Sequence, residues 1–124
     1  MGITYAAGTV SSGEKEEDLR FLVDSGSQYT LLPHEVWTRL GLAPTRTLDF
    51  VLADGTVIQR DLSECYIKLP EGQGHTPVIL GHPGDDVALL GAFTLEAFAL
   101  MLNPFTRQLE HMRLMMPGIR THLA

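Results

Sequence analysis

Short apolar runs separated by glycine, proline and acidic turn residues are the feature that most limits the folds available to this chain. Runs of this kind, bounded by turn residues on both sides, predict β-strands. The predicted strands are residues 4–10, 19–23, 30–32, 48–53, 56–59, 62–69, 76–80 and 87–90. Many short strands with regular turns between them predict a mostly-β barrel or sandwich.

The segments between these runs predict the turns and two short helices. Asp54-Gly55 predicts a two-residue hairpin turn, in which both central residues must tolerate positive φ. Pro33 suits a first helical position, and Gly41 ends a helix that carries apolar residues at helical spacing. Residues 13–18 and 70–74 are predicted loops, residues 93–99 a second helix, and residues 100–102 and 109–114 a last hairpin before a tail from Pro117.

Composition predicts the domain number, the location and the excluded partner classes of the protein, and it indicates little about its chemistry. The chain has 124 residues, which fits one domain over residues 1–124, with residues 115–124 as a C-terminal tail. The single cysteine, Cys65, excludes an internal disulfide, and the N-terminal residues lack the pattern of a secretory signal, so a cytoplasmic location is expected. A net charge of −6 argues against nucleic acid and anionic membranes as partners.

The tripeptide Asp24-Ser25-Gly26 lies at the end of an apolar strand and is the candidate for chemistry. The strand would bring the Asp24 carboxylate to the edge of a cleft, and Gly26 would let the backbone turn back without a Cβ clash. The Ser25 hydroxyl could hold the loop through hydrogen bonds. The same three residues are also common in ordinary turns, so the motif alone leaves a purely structural turn open.

Four elements follow one another along the chain in a characteristic order. They are Phe21-Leu22-Val23-Asp24-Ser25-Gly26, then Tyr29-Thr30-Leu31-Leu32-Pro33, then Ala53-Asp54-Gly55-Thr56 in a hairpin, and then Leu89-Leu90-Gly91 before a helix. In this order they resemble the retropepsin-like, retroviral-type aspartic peptidase family, as a bacterial-type single-domain member. The resemblance covers residues 3 to 112.

The resemblance implies one lobe of the acid-protease fold, a closed β-barrel with one or two short helices. It also implies an aspartic endopeptidase in which water is activated between two Asp24 carboxylates. Because the chain has one Asp-Ser-Gly, the second carboxylate is expected from an identical subunit, and the partners are a homodimer mate and a peptide or protein substrate. Ser25, Gly26 and Ser27 would form the active-site loop, with Ser25 bonding across the dimer. No cofactor and no metal are predicted.

The resemblance also assigns residues to the walls of a substrate cleft. The flap would contain Val51, Leu52, Ala53, Asp54, Gly55, Thr56 and Val57. The pocket and the folded segment behind the catalytic loop would contain Val87, Leu89, Leu90 and Gly91. Two alternatives stay open: a catalytically inactive dimerisation or peptide-binding module of the same fold, and an unrelated β-domain. A metal site at residues 82–86 is disfavoured, because His82 and its neighbours read as a solvated turn.

Overall fold

Strands dominate residues 2–117, the part of the chain that this computed structural model describes. Strand covers 49% and two short helices accompany it, which confirms the prediction of a mostly-β fold. The strands are β1 (Tyr5–Ser12), β2 (Lys15–Val23), β3 (Thr30–Leu32), β4 (Arg46–Val51), β5 (Val57–Leu69), β6 (Gly72–Leu80), β7 (Ala88–Leu90), β8 (Leu100–Leu102) and β9 (Leu109–His111). The helices are α1 (His34–Leu40) and α2 (Ala92–Ala97).

Six of these strands close into a barrel, as the resemblance implies. The hydrogen-bonded order is β1-β2-β7-β3-β6-β5, and β5 pairs back with β1 through Val10 and Ile67. The short strand β7 runs parallel to β2 and antiparallel to β3, so it joins the two halves of the ring. Closure removes the exposed edges that an open sheet of this size would carry.

The strand β4 lies outside the ring and pairs only with the first half of β5. The two strands form a hairpin that extends from the barrel, and this hairpin is called the flap below (residues 46–62). Strand β5 therefore belongs to two regions, because its first residues pair with β4 and its last residues pair with β1 and β6.

The core fills the barrel with side chains that alternate along the strands. The largest side chains that are fully buried include Phe21, Leu32, Leu62, Ile67 and Leu90. Helix α1 adds Val36 and Leu40, and α2 adds Leu95. Since successive strand residues point to opposite faces, this alternation is the expected signature of strands that bury one face only.

The charged cluster at residues 13–18 is not a loop, and that prediction was wrong. The first hairpin turns at Gly13 and Glu14, and β2 already starts at Lys15. The charges are accommodated because Glu17 forms an ion pair with Arg39 at 2.8 Å and Asp18 accepts a hydrogen bond from Thr9 at 3.0 Å. A strand can thus carry charged side chains when its outer face is exposed to solvent and neighbouring residues form ion pairs or hydrogen bonds with them.

Pro33 is the residue before helix α1, not its first residue. Its ψ of 150° is extended, while its carbonyl accepts the first helical hydrogen bond from Trp37. Gly41 ends the helix with a φ of 72°, as predicted, because glycine adopts the left-handed conformation without a Cβ penalty.

The predicted loop at residues 70–74 is also shorter than expected, because Gly72 and Gly74 lie in β6. A Cβ on either glycine would approach the Phe98 side chain to 3.2 Å and 3.1 Å. The two glycines therefore open space for this aromatic ring on the sheet. Helix α2 starts one residue earlier than predicted and ends at Ala97, and Ala99 takes a φ of 55°.

The last hairpin exists but is short. Strand β9 covers Leu109–His111, whereas the prediction extended it to residue 114. Residues 115–117 of the predicted tail have no regular secondary structure, and residues 118–124 lie outside the described residues. No helix within residues 2–117 is long and apolar enough to cross a membrane.

Candidate active site

The Asp24 carboxylate is held by its own loop at the end of strand β2. The backbone N–H of Gly26 donates a hydrogen bond to Oδ1 at 3.0 Å, and the Ser27 hydroxyl donates one to Oδ2 at 2.9 Å. Each carboxylate oxygen thus has one fixed donor and retains lone pairs for other partners. The two bonds fix the orientation of the carboxylate. Asp24 is half-buried, so its side chain still has access to solvent.

A second segment, residues 90–93, supports this loop from behind through backbone hydrogen bonds. The Asp24 N–H donates to the Leu90 carbonyl at 3.0 Å. The Ala92 and Phe93 N–H groups then donate to the carbonyls of Ser27 and Gln28, at 2.8 and 2.9 Å. The Asp24 loop and the start of α2 are therefore joined by three backbone hydrogen bonds.

Gly91 is required where the two segments cross. A Cβ at this position would lie 2.4 Å from the Tyr29 carbonyl carbon and 2.5 Å from its oxygen. These are backbone atoms, which cannot move without moving the loop that carries Asp24. The apolar-apolar-Gly element of the sequence thus reflects a close approach of backbone to backbone.

Three buried threonines lie directly below this crossing. The Thr94 hydroxyl is 2.6 Å from that of Thr30 and 2.7 Å from that of Thr76. Thr30 also accepts a hydrogen bond from the N–H of Gly91 at 3.0 Å. The network ties β3, β6 and α2 to the crossing, and every buried side-chain polar atom within residues 2–117 has a partner. Sequence reasoning missed it, because its members are up to 64 residues apart and each is an isolated threonine.

The hydroxyl that bonds to the Asp24 carboxylate is that of Ser27, and not that of Ser25 as expected from the sequence. Ser25 is exposed. It lines a groove together with residues of α2 and β8. The other lining side chains are mostly apolar: Ala92, Leu95, Leu100, Met101, Leu102 and Met112, with Glu96 as the charged member. The hydroxyl that the resemblance assigns to a cross-dimer bond is therefore available at the protomer surface.

The flap tip forms a three-residue loop, which corrects the predicted two-residue turn. The Gly55 N–H donates to the Leu52 carbonyl at 2.9 Å, and the Leu52 N–H donates to the Thr56 carbonyl at 2.7 Å. Only Gly55 has positive φ, at 86°, so the turn is followed by a bulge. Hydrogen bonding by the Thr56 side chain and then by its N–H, at 2.9 Å to Oδ1, lowers the pKa of Asp54 below its usual range.

The predicted cleft residues divide into exposed and buried groups. Val51 is 72% exposed and Val57 is 58% exposed, an unusual state for valine, and Leu52 and Val87 are also exposed. Ala53, Asp54, Gly55 and Thr56 are exposed at the tip, and Leu89 is half-buried. The Leu90 side chain is fully buried in the core, so this residue contributes its backbone carbonyl to the loop and no pocket surface.

Tyr29 makes the aromatic contact between the flap and the Asp24 loop. Its ring meets Phe50 of the flap edge-on, with 5.9 Å between the ring centroids. On its other side it meets Phe93 at 4.9 Å. The sequence motif included Tyr29, but neither phenylalanine was assigned to the site. Their signal was weak, since an aromatic residue in a strand or helix more often indicates core.

Other reactive side chains have structural explanations. Within residues 2–117 no group of three or more His, Cys, Asp or Glu side chains is arranged to hold a metal ion. In the loop after β6, the N–H of His82 donates to Oδ2 of Asp85 at 2.8 Å, which closes the turn. Cys65 is 3% exposed, and burial raises the pKa of its thiol to about 12, so it is a poor nucleophile.

Comparison with known protein families agrees with this geometry. A family model described as aspartyl protease matches residues 7–92. The match includes the Asp24 loop, the flap and the crossing at Leu90-Gly91, and it covers more than half of the 124 residues. A search of curated proteins gave no match to the chain. The chain therefore belongs to the aspartyl protease family, within the retropepsin-like clan.

Proposed function

We propose that this chain is one subunit of a homodimeric aspartic endopeptidase and that Asp24 is its catalytic residue. The observation that carries the proposal is the carboxylate of Asp24, held by Gly26 and Ser27 on a loop that residues 90–93 support. Catalysis needs a group on a stiff support, and the loop provides one. Family membership supports a peptidase in general, whereas the dimer and the role of Asp24 are our proposal.

The chemistry requires two carboxylates, and the chain contributes one Asp-Ser-Gly. Two carboxylates that lie close together share a proton, because ionising both would bring like charges together. The ionised one takes a proton from water as the water attacks the scissile carbonyl. The protonated one donates a hydrogen bond to the carbonyl oxygen and stabilises its developing charge. A carboxyl proton then passes to the amide nitrogen as the C–N bond breaks, which releases an amine and a carboxylic acid. A two-fold axis beside Asp24 would supply the pair.

The apolar surface next to the catalytic loop supports a second copy as the partner. The groove at Ser25 is mostly apolar, and Met101 on its rim is exposed. The segment after β9 adds Leu114, Met115 and Met116, all exposed. Contiguous apolar side chains on a soluble surface mark interaction sites, and methionine adapts well to such surfaces. We propose that this surface contributes to the dimer contact.

The substrate in this proposal is an extended peptide that lies between the flap and the catalytic loop. The flap exposes Val51, Leu52 and Val57, and Val87 and Phe93 are exposed beside β7 and α2. These side chains favour apolar residues in the peptide. Within residues 2–117 the outer edge of β4 has no strand partner, so it can add a peptide as a further strand. The single buried cysteine suits action in the cytoplasm.

The test is the replacement Asp24→Asn, with Asp18→Asn as the matched control. Asp18 lies six residues earlier on the same strand, roughly 20 Å away in an extended chain, and asparagine can still accept the bond from Thr9. Peptide cleavage should be lost in Asp24→Asn and kept in Asp18→Asn. The activity per protomer should rise with protein concentration, because only the dimer carries two carboxylates.

Mixing the two proteins sharpens the result. If each dimer needs both Asp24 carboxylates, excess Asp24→Asn protein should inhibit the wild type by forming mixed dimers, and Asp18→Asn should not. Cleavage that survives Asp24→Asn, or activity per protomer that is independent of concentration, would contradict the proposal. Peptide binding without cleavage by the wild type would instead favour a non-catalytic peptide-binding module, the alternative that the exposed apolar flap also allows.

A further inference from the structure

Three aromatic rings meet between the flap and the catalytic loop. Tyr29 lies in the centre, with Phe50 on one side and Phe93 on the other. The interplanar angles are 88° and 71°, so both contacts are edge-to-face. This is the arrangement that aromatic rings prefer, because the positive edge of one ring meets the negative face of the next.

The backbone that carries the Tyr29 ring is fixed on both sides. Its carbonyl lies against Gly91 so closely that a Cβ there would be 2.5 Å from the oxygen. The residue before it, Gln28, accepts a hydrogen bond from Phe93 at 2.9 Å, and the residue after it, Thr30, is fully buried. The Tyr29 ring therefore extends from a backbone segment that is held on both sides by hydrogen bonding and close packing.

Phe50, by contrast, lies in the flap. It is the residue before the end of β4 and pairs with Ile58 of β5. Strand β4 is the last in the strand order and is hydrogen-bonded to β5 alone. The contact between Phe50 and Tyr29 consequently attaches the flap, two residues before its tip, to the loop that holds Asp24.

We propose that Tyr29 is a positioning residue, which anchors the flap close to its tip to the loop that holds Asp24 and so sets how the flap covers a bound peptide. The proposal rests on the proposed function for its effect on cleavage. The anchor is the ring, because the ring itself makes the contacts with Phe50 and Phe93. Phenylalanine should therefore replace tyrosine, and alanine should not.

The experiment compares Tyr29→Ala, Tyr29→Phe and Phe50→Ala with Tyr66→Ala as the control. Tyr66 makes an edge contact of the same kind with His75, at 5.1 Å, between β5 and β6. Amide hydrogen exchange is measured for the flap and the barrel, and kcat and KM are measured with a peptide that the wild type cleaves. Both readouts use the full chain.

The expected result is a selective loosening of the flap. In Tyr29→Ala and Phe50→Ala, the amides of residues 50–58 should exchange about tenfold faster, as loss of aromatic pair contacts predicts. KM should rise by about the same factor with kcat little changed, because flap contacts bind the peptide before and during reaction alike. Tyr29→Phe should match the wild type, and Tyr66→Ala should leave both flap exchange and KM unchanged.

The outcomes separate this proposal from the proposed function. Unchanged flap exchange in Tyr29→Ala would overturn it. An equal rise in exchange across flap and barrel, with kcat reduced and KM unchanged, would also overturn it, since that is a general structural loss. If the wild type shows no cleavage that depends on Asp24, the proposed function fails, and the exchange comparison still decides whether Tyr29 anchors the flap.

Discussion

The crossing behind the Asp24 loop is held by many buried contacts. The flap hairpin is held by few. At the crossing, backbone bonds join residues 24–28 to residues 90–93, and fully buried threonines lie beneath them. The flap exposes valines and a leucine and pairs with the barrel through β5 alone. A segment with few buried contacts opens at a low cost in free energy, whereas many buried contacts hold a side chain in one geometry.

Strand β5 takes part in both regions. It is continuous over thirteen residues, from Val57 to Leu69. Its first residues are exposed or half-buried beside β4, and from Leu62 onward it is part of the barrel. The same strand is therefore exposed or buried according to what packs against it.

The largest effect is expected from adding one methyl group at the crossing. In Gly91→Ala the new Cβ would meet the Tyr29 carbonyl at 2.4–2.5 Å, and the free energy of unfolding should fall by roughly 3 kcal/mol or more. In Gly55→Ala at the flap tip, no atom lies within 4 Å of the new Cβ. There the cost is the positive φ of 86°, and the expected loss is about 1–2 kcal/mol.

Urea unfolding at one protomer concentration measures both variants, because unfolding of a dimer depends on concentration. Amide exchange adds the location of each effect. Gly91→Ala should raise exchange throughout the barrel, and Gly55→Ala should raise it in the flap alone. Equal losses of stability in the two variants would remove the contrast between the regions.

An intermediate effect is expected from the buried threonines. Thr94→Val keeps the shape of the side chain and removes the hydroxyl that Thr30 and Thr76 share. Leaving buried polar atoms without partners should lower the free energy of unfolding by about 1–3 kcal/mol. The control is Thr47→Val on the outer strand of the flap, where an exposed hydroxyl donates to Asp61 at 2.7 Å.

Thr47→Val should change stability by less than about 0.5 kcal/mol, because solvent replaces the lost partner. Thermal or urea unfolding of both valine variants provides the comparison. A change in Thr94→Val as small as that in Thr47→Val would show that the network contributes little to holding the crossing.

The strand pattern and the catalytic motif could be predicted from sequence because each depends on neighbouring residues. Short apolar runs between turn residues marked the barrel strands, and Gly41 marked the end of α1. The loop at Asp24 was visible for the same reason, since Gly26 and Ser27 bond to the carboxylate two and three residues away.

The contacts that organise the site could not be predicted, because they join distant residues. Thr30 and Thr94 are 64 residues apart, and nothing in either local sequence indicates the other. Residues 13–18 were misassigned for a related reason. Their charges indicate a loop unless the partners Arg39 and Thr9 are known.

The smallest effect is expected at the flap tip and depends on pH. The pKa of Asp54 is lowered by hydrogen bonding from the Thr56 side chain and N–H, so the ionised form orders the tip. This ordering is fully present above the usual pKa of an aspartate and is lost as pH falls through the lower value of the folded state.

The Thr56 amide should therefore titrate by NMR below the ordinary aspartate range, while β6 amides stay unchanged. Asp54→Asn should abolish this titration and keep an acceptor for the Thr56 N–H, and Asp54→Ala should loosen the tip at all pH values. A Thr56 titration at or above the ordinary range, or one shared by the barrel, would mean that the tip is not an independent element.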